Sequence, residues 1–86
     1  MAVFASGSGS NYEAIVEACR DGRIDAEVVL LVCDKPGAKV LERAKRFGTE
    51  SFAFSPKDYA SREEFETVIA DMLDERGVEY VCLAGY

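Results

Sequence analysis

The hydrophobic pattern of this chain switches repeatedly between short apolar runs and helical periods. Residues 2–6 form one apolar run, and residues 27–33 form a second that is rich in β-branched side chains. Shorter runs occupy residues 51–54 and 80–84. Continuous runs of this length are typical of strands buried on both faces, as in a parallel sheet. The pattern therefore predicts four strands, and it predicts that the last one is buried like the others.

Three helices are predicted between these strands, from about residue 12 to 20, from 38 to 47 and from 61 to 76. Apolar side chains recur in each at helical spacing, so that one face of each helix can pack on the sheet. The side chains expected to face inward are Ala14, Ile15, Ala18 and Cys19 in the first helix, Val40, Leu41, Ala44 and Phe47 in the second, and Phe65, Val68, Ile69, Met72 and Leu73 in the third.

Two of the predicted helices begin with a capping-box pattern. Ser10 is followed three residues later by Glu13 at the first helix. Ser61 is followed by Glu64 at the third. In such a box the serine oxygen and the glutamate carboxylate each accept a hydrogen bond from a backbone amide that the helix leaves unpaired. Both helices are therefore expected to start at these serines.

The alternation of strands and helices predicts the fold class. A β-α-β-α-β-α-β order with short connections indicates an α/β protein with a parallel sheet, right-handed crossovers and helices on both faces, which makes three layers. By analogy with doubly wound, Rossmann-like folds, the expected strand order is 3-2-1-4. Residues 1–86 contain no linker or repeat and are expected to form a single unit.

Composition and charge narrow the classes of function. The chain has 10 Lys and Arg against 16 Asp and Glu, so its formal net charge is −6. A chain this acidic is a poor ligand for nucleic acid or for anionic membranes, because phosphate contacts need clustered basic side chains. No apolar run approaches the ~18–20 residues of a membrane span. The first residues lack the basic and apolar regions of a signal peptide, so a cytoplasmic location is expected.

The absence of histidine excludes much of the common catalytic chemistry. No His is present, which removes Ser-His and Cys-His nucleophile pairs, His metal sites and a proton shuttle near neutral pH. Cys19, Cys33 and Cys82 form neither a CxxC pair nor a metal-ligand spacing, and no metal site is expected. They are interpreted as three reduced thiols in the core.

A glycine-serine cluster at residues 7–11, GSGSN, is the strongest candidate for a binding site. It connects the first strand directly to the first helix, which is where doubly wound folds bind ligands. Glycines let the backbone approach a ligand closely, and the free amides of the first helical turn favour an anion. Ser10 and Asn11 add side-chain donors. The alternative is an ordinary turn with a helix cap, and Glu13 would compete with an anion if its carboxylate folded back onto the amides.

The type of phosphate ligand stays open at this stage. A P-loop needs GxxxxGK[ST], and no Lys follows these glycines. A dinucleotide fingerprint, GxGxxG, is matched by Gly7 and Gly9 but has Tyr12 in place of the third glycine. Asp34, after the second strand, is the kind of residue that binds a ribose hydroxyl, although a turn residue is the simpler interpretation. An NAD- or nucleotide-binding module is therefore an alternative, and so is a structural fragment that binds no ligand.

The residues also resemble a known family. The segments AVFASGSGSNYEAI, LLVCDKPGAKVLERAKRFG, SREEFE and VCLAGY, in this order, resemble the N-terminal part of glycinamide ribonucleotide transformylase (phosphoribosylglycinamide formyltransferase). This family transfers a formyl group from 10-formyltetrahydrofolate to glycinamide ribonucleotide in purine synthesis. The resemblance implies that Gly9, Ser10 and Asn11 hold the substrate phosphate. It also implies that Arg62 contacts the formyl-folate, although a surface Arg is an equally simple interpretation. Lys35, beside the same edge, is interpreted as a solvated loop residue.

The resemblance further implies that residues 1–86 are a half-domain. The catalytic Asn, His and Asp of the family lie beyond Tyr86, so this chain is expected to be inactive alone and to carry no catalytic residue. No cofactor is expected for the chain itself. The fourth strand would be an exposed apolar edge, which invites pairing with another chain. A homo-oligomer through this edge is therefore expected.

Overall fold

The computed structural model describes residues 1–84 and shows a four-stranded parallel sheet with helices on both faces. Gly85 and Tyr86, at the end of the VCLAGY segment, lie outside the described residues. The elements, in chain order, are β1 (Ala2–Ala5), α1 (Ser10–Arg20), β2 (Leu30–Cys33), α2 (Lys39–Phe47), β3 (Ser51–Ala53), a 3₁₀ turn (Pro56–Asp58), α3 (Arg62–Glu75) and β4 (Val81–Leu83). The predicted α/β class is confirmed.

The sheet has the strand order β3-β2-β1-β4, and every neighbouring pair is parallel. The expected order 3-2-1-4 is therefore confirmed. In the register of the ladder, Ala2 of β1 lies opposite Leu30 of β2 on one side and Val81 of β4 on the other. This order makes β1 and β2 the central strands. It leaves β3 and β4 at the two edges.

The two central strands are apolar on both faces, and alternate residues contribute to two separate cores. Helices α1 and α2 cover one face, and α3 covers part of the other. The strand residues under α1 and α2 are Val3, Ala5, Leu31 and Cys33, and those under α3 are Ala2, Leu30 and Val32. All seven are fully buried, which explains why their runs lack the polar alternation of a half-exposed strand.

Helix α1 starts where the sequence predicts but differs in the residues that it buries. It begins at Ser10, and its buried residues are Tyr12 and Val16, whereas Ala14 is exposed. The expected inward face was therefore wrong at Ala14. The Tyr12 hydroxyl donates a 2.6 Å hydrogen bond to Thr49 Oγ1, which lets this large polar side chain be fully buried. The pKa of Tyr12 is raised by this burial.

Two strands also differ from the prediction. The second strand was expected to start at residue 27, but β2 starts at Leu30. Leu30 is the residue opposite Ala2, the first residue of β1, so the ladder between the two strands begins there. The fourth strand was expected to be buried, but Val81 and Leu83 are 47% and 70% exposed. The expectation that this strand forms an apolar edge is confirmed, since β4 has a strand neighbour only in β1 among the described residues.

Helix α3 begins as predicted but buries less than expected. The Ser61 hydroxyl oxygen accepts a 3.3 Å hydrogen bond from the Glu64 amide, so Ser61 is the N-cap. In the predicted apolar stripe, Ile69 is buried and Val68 is exposed. Val68 was therefore wrongly placed in the core. Within residues 1–84, none of the helices combines the length and apolarity that crossing a membrane requires.

The three cysteines are free thiols. Cys33 is fully buried in β2, and its thiol donates to the Lys35 carbonyl oxygen at 3.3 Å. Burial raises the pKa of this thiol, so it stays protonated and unreactive. Cys19 and Cys82 are half-buried. A group of three or more potential metal-ligating side chains does not occur in the described part of the chain.

Candidate functional site

The connection between β1 and α1 forms a concave turn at the carboxyl end of the first strand. We call residues 7–11 the glycine loop. Gly9 is the N-cap of α1 and has the left-handed conformation φ 86°, ψ 17°, and Ser10 then begins the right-handed helix. A left-handed residue followed by a right-handed one turns successive backbone amides toward a common point, and such concavities bind anions. The loop therefore has the backbone shape of an anion site.

The first amides of α1 are available to a ligand. The first bond of the helix runs from the Glu13 amide to the Gly9 carbonyl oxygen, at 2.9 Å. Ahead of it, the amides of Ser10, Asn11 and Tyr12 donate to no acceptor within residues 1–84. Unpaired amides at a helix N-terminus carry partial positive charge, which favours an anion there.

The glycine loop is open to solvent. A cavity of about 150 Å³ is lined by residues 7–11 together with Ala84, which follows β4. This is about five times the volume of one liquid water, ~30 Å³. Ser10 and Asn11 are exposed, so their hydroxyl and amide groups can reach a ligand in the cavity. Gly9 and Tyr12 are buried, so a ligand would approach this turn from the side of Ser10 and Asn11.

The capping box predicted at this helix does not form. Gly9, and not Ser10, is the N-cap, and no side chain of residues 1–84 forms a hydrogen bond with the cap. The Glu13 carboxylate instead pairs with Arg43 and Arg46 of α2, with 2.6 Å between Glu13 Oε2 and Arg43 Nη1. The sequence prediction failed because two arginines 30 and 33 residues away outcompete the local backbone amides for this carboxylate. Glu13 therefore does not compete with an anion for the helix terminus.

Helix α2 holds the glycine loop in place. The Val40 amide donates to the Gly7 carbonyl oxygen at 3.2 Å, and Arg43 Nε donates to the Ser8 carbonyl oxygen at 2.7 Å. A Cβ on Gly9 would lie 2.6 Å from Val40 Cγ2 and 2.9 Å from Val40 Cα, distances that carbon atoms cannot adopt. Gly9 is thus required by packing on α2 and by its positive φ. The packing on α2 is a reason for this glycine that the sequence did not reveal, beside the sharp turn that glycine was expected to permit.

Gly7 differs from Gly9 in this respect. A Cβ on Gly7 would meet no atom within 4 Å, and Gly7 does not have a positive φ. The ligand-free protein therefore does not require glycine here. Close approach of a ligand to the backbone remains a reason for a glycine at this position.

Arg62 lies in a different place from the glycine loop. It is the first residue of α3, its side chain is 84% exposed, and its Nε is 2.7 Å from Glu66 Oε1. It lines a cavity of about 720 Å³ on the α3 side of the sheet, whose walls include Phe4, Tyr59 and Phe65. The structure thus groups Gly9, Ser10 and Asn11 at one cavity and places Arg62 at another.

Asp34 lies at the cavity of Arg62. It follows β2 directly, and its Oδ1 is shielded from solvent without a hydrogen-bond partner among residues 1–84. An unpaired carboxylate oxygen of this kind costs free energy unless a ligand or water donates to it. Sequence analysis identified only that Asp34 follows a strand, and it did not predict that one of its carboxylate oxygens is shielded from solvent. Lys35, next in the chain, is exposed as expected.

Comparison with known proteins gives a consistent result. The formyl transferase family profile matches residues 1–86. The phosphoribosylglycinamide formyltransferase of Bacillus subtilis (strain 168) is 54% identical over 85 residues, which are 99% of this chain and 44% of that protein. A trifunctional purine biosynthetic protein, adenosine-3, of Drosophila melanogaster is 42% identical over 88 residues, with 6% of its length covered.

Solved structures agree with the sequence matches. A crystal structure of glycinamide ribonucleotide transformylase 1 from Geobacillus kaustophilus superposes with a TM-score of 0.96 at 55% identity, covering 99% of this chain and 45% of that one. Phosphoribosylglycinamide formyltransferase from Bacillus halodurans superposes with a TM-score of 0.94 at 47% identity. The chain spans less than half the length of these relatives.

Proposed function

The chain belongs to the formyl transferase family, and from this premise we propose that residues 1–86 are the N-terminal, substrate-phosphate-binding half-domain of a phosphoribosylglycinamide formyltransferase. The complete enzyme would transfer a formyl group from 10-formyltetrahydrofolate to glycinamide ribonucleotide in purine synthesis. One observation supports the proposal: in a chain 54% identical to such an enzyme, the turn before α1 adjoins a cavity and has a left-handed residue followed by a right-handed one. A cytoplasmic location is part of the proposal.

The substrate phosphate is proposed to bind at Gly9, Ser10 and Asn11. Three observations support this assignment. The first-turn amides of α1 are unpaired within residues 1–84, the adjoining cavity is open, and the Glu13 carboxylate is neutralised by two arginines. A doubly charged phosphate monoester there would gain charge-assisted hydrogen bonds from amides already in position, so little reorganisation is needed.

The co-substrate is proposed to contact Arg62. Its guanidinium is exposed beside the 720 Å³ cavity, so a carboxylate of a folate could replace Glu66 as its partner. The aromatic side chains of the cavity wall offer apolar surface for a flat ring system. The two proposed subsites lie on different cavities, which suits a reaction between two separate substrates.

No catalytic residue is assigned to this chain. Formyl transfer needs a polarised formyl carbonyl, a neutral amine nucleophile and a group that takes up the proton released. The sequence contains no His, and the resemblance to the family implies that the catalytic Asn, His and Asp lie beyond Tyr86. We therefore expect the 86-residue chain to bind substrate phosphate without turnover. Turnover above a blank reaction would contradict this expectation.

A dinucleotide-binding function fits the geometry less well. The third glycine of GxGxxG permits close contact between helix and strand, and here that position holds Tyr12, fully buried against the sheet. Asp34, the candidate for a ribose hydroxyl, lines the cavity of Arg62 and not that of the glycine loop. A single phosphate monoester therefore remains the favoured ligand.

The isolated chain is also proposed to form a homo-oligomer through β4. Edge strands expose unpaired backbone groups, and the exposed apolar side chains of Val81 and Leu83 would be buried by a second strand beside them. Nucleic acid and membranes are not expected as partners, because the net charge is −6.

Titration followed by ¹⁵N-¹H NMR spectra tests the phosphate site. Ribose 5-phosphate and glycinamide ribonucleotide should shift the amides of residues 9–12, with saturation, and NAD should shift them less. Asn11→Asp places a carboxylate at the loop and should weaken binding about tenfold or more. Ala60→Asp, with the same added charge at an exposed position away from the loop, is the matched control.

Three results would contradict the proposal. Stronger binding of NAD than of ribose 5-phosphate would favour the nucleotide-binding module. Unchanged spectra with all ligands would favour a structural fragment that binds nothing. Equal weakening by the two Asp variants would show that binding depends on net charge and not on the glycine loop.

A further inference from the structure

One arginine of α2 contacts both the glycine loop and α1. Arg43 Nε donates to the Ser8 carbonyl oxygen at 2.7 Å, and Arg43 Nη1 lies 2.6 Å from Glu13 Oε2. Its side chain is 30% exposed, so most of it is packed between these elements. A guanidinium is planar and presents its donors in a fixed fork, so the two contacts hold the loop and α1 in one geometry.

The contact with Ser8 sets the direction of a peptide group in the loop. Because the peptide bond is planar and trans, the carbonyl of Ser8 and the amide of Gly9 point in opposite directions. A carbonyl oxygen held by Arg43 therefore turns the Gly9 amide away from Arg43. The same hydrogen bond prevents the peptide group from rotating, which would bring the partially negative carbonyl oxygen toward a bound anion. The positive φ of Gly9 permits the turn that follows.

Arg46 is a natural comparison for Arg43. Both guanidinium groups pair with the Glu13 carboxylate, one on each oxygen. Arg46 pairs with Glu13 and lies over the ring of Phe47. Among the described residues, it makes no contact with the glycine loop. The two arginines therefore contribute the same charge near α1 and differ in whether they hold the loop.

We propose that Arg43 is a positioning residue for phosphate binding. It fixes the Ser8–Gly9 peptide group so that the loop presents an amide, and not a carbonyl oxygen, to the anion, and it removes Glu13 as a competitor. This inference rests on the proposed function of the glycine loop. The relevant ligand class is a phosphate monoester, for which ribose 5-phosphate is the probe.

The test compares Arg43→Lys with Arg46→Lys in the full chain. Both variants keep the net charge, but one ammonium group cannot reproduce the forked contact with Ser8 and Glu13. Arg43→Lys should weaken ribose 5-phosphate binding about three- to tenfold, the effect of losing one modest hydrogen bond. Arg46→Lys should change it less than twofold. In the ligand-free state, only Arg43→Lys should lower the ¹⁵N-¹H NOE values of residues 8–10. A general loss of stability would lower these values elsewhere in the chain as well.

A measurement on the wild-type chain covers the case in which Arg43→Lys does not fold. The Arg43 Nε-H should exchange slowly with solvent and show a scalar coupling to the Ser8 carbonyl carbon across the hydrogen bond. Absence of this coupling would overturn the inference. If wild type binds ribose 5-phosphate and Arg43→Lys binds it equally, the inference alone fails. If wild type does not bind it at all, the proposed function fails as well.

Discussion

The two faces of the sheet are packed very differently. On the face of α1 and α2, each helix contributes two buried residues, Tyr12 and Val16 from one and Val40 and Ala44 from the other. On the opposite face, α3 contributes only Ile69, and a cavity of about 720 Å³ remains beside it. The first face, which we call the closed face, is the more fully buried core and has a smaller cavity of about 320 Å³ beside Val16 and Phe47. The second, which we call the open face, is a partly covered apolar surface.

The candidate phosphate site therefore depends on the well-packed face of the sheet and not on the face that is only partly covered. The glycine loop belongs to the closed face, where α2 contacts it through Val40 and Arg43. Its amides are thus positioned by a core that is already buried within residues 1–84. The open face carries the exposed side chains of Val68, Val81 and Leu83 and is where we expect a second polypeptide surface to pack.

The largest expected effect of a single substitution is at the closed face. Gly9→Ala introduces a Cβ that clashes with both the side chain and the backbone of Val40 and strains a residue with φ +86°. Strain and overpacking each cost roughly 1–3 kcal/mol, so we expect about 2–4 kcal/mol of lost stability. Urea unfolding followed by circular dichroism measures it. Gly7→Ala has open space around its Cβ and should stay within about 0.5 kcal/mol. Equal losses in both variants would show that the contact with α2 does not govern the loop.

A matched pair of valines compares the faces directly. Val16→Ala, in the core of α1 and α2, should cost about 2 kcal/mol, from two lost methyl groups and the cavity left behind. Val68→Ala, on the exposed side of α3, should cost less than about 0.5 kcal/mol. The same unfolding measurement serves both. A cost at Val68 as large as that at Val16 would mean that the α3 face is covered in solution, for example by a second copy.

The apolar edge supplies the next prediction. Leu83→Lys places a charge on the edge strand, at a side chain that is 70% exposed, so the isolated fold should tolerate it. If copies pair through β4, this charge should weaken self-association about tenfold or more, because lysine on an edge strand opposes pairing. Sedimentation velocity at several concentrations measures the change. Lys57→Leu, at an exposed position outside β4, changes the net charge by one unit in the opposite direction. It therefore shows how far self-association depends on net charge alone. A monomeric wild-type chain would contradict the proposed association.

The smallest effect is expected at the ion pair between α3 and the segment before β3. Arg76 Nε and Nη2 donate to the two oxygens of the Glu50 carboxylate at 2.8 and 2.5 Å, and these hydrogen bonds lower the pKa of Glu50 below its usual value of 4.5. A lowered folded-state pKa stabilises the protein above the unfolded-state pKa, and this contribution is lost as the pH falls through the folded-state value. Glu50→Gln should therefore reduce stability at pH 7, and the difference from wild type should shrink as the pH falls below 4.5.

Thermal unfolding of both proteins between pH 3 and 7 measures this dependence. The pair is partly exposed, so the difference at pH 7 should be small and should shrink further in high salt. A stability difference that stays constant across this range would show that the ion pair is not the cause.

The sequence predicted the elements well and their contacts less well. The cap of α3 at Ser61 followed from a local pattern and is confirmed, because the serine and the amide it accepts from are three residues apart. The same pattern at Ser10 and Glu13 was wrong, because arginines from α2 take the carboxylate of Glu13. Local patterns predict a structure correctly until a distant group competes for the same atoms.

The sequence by itself determined the order of strands and helices, the parallel sheet and the position of the glycine loop. These follow from hydrophobic periods and turn residues, which act over a few positions. Only the tertiary structure decided that Gly9 packs against Val40, that Arg43 holds the carbonyl of Ser8, and that Asp34 and Arg62 line the same cavity. The contact between Arg43 and Ser8 joins residues 35 positions apart. Such a contact depends on how two helices lie on a sheet, which no local pattern of side chains specifies.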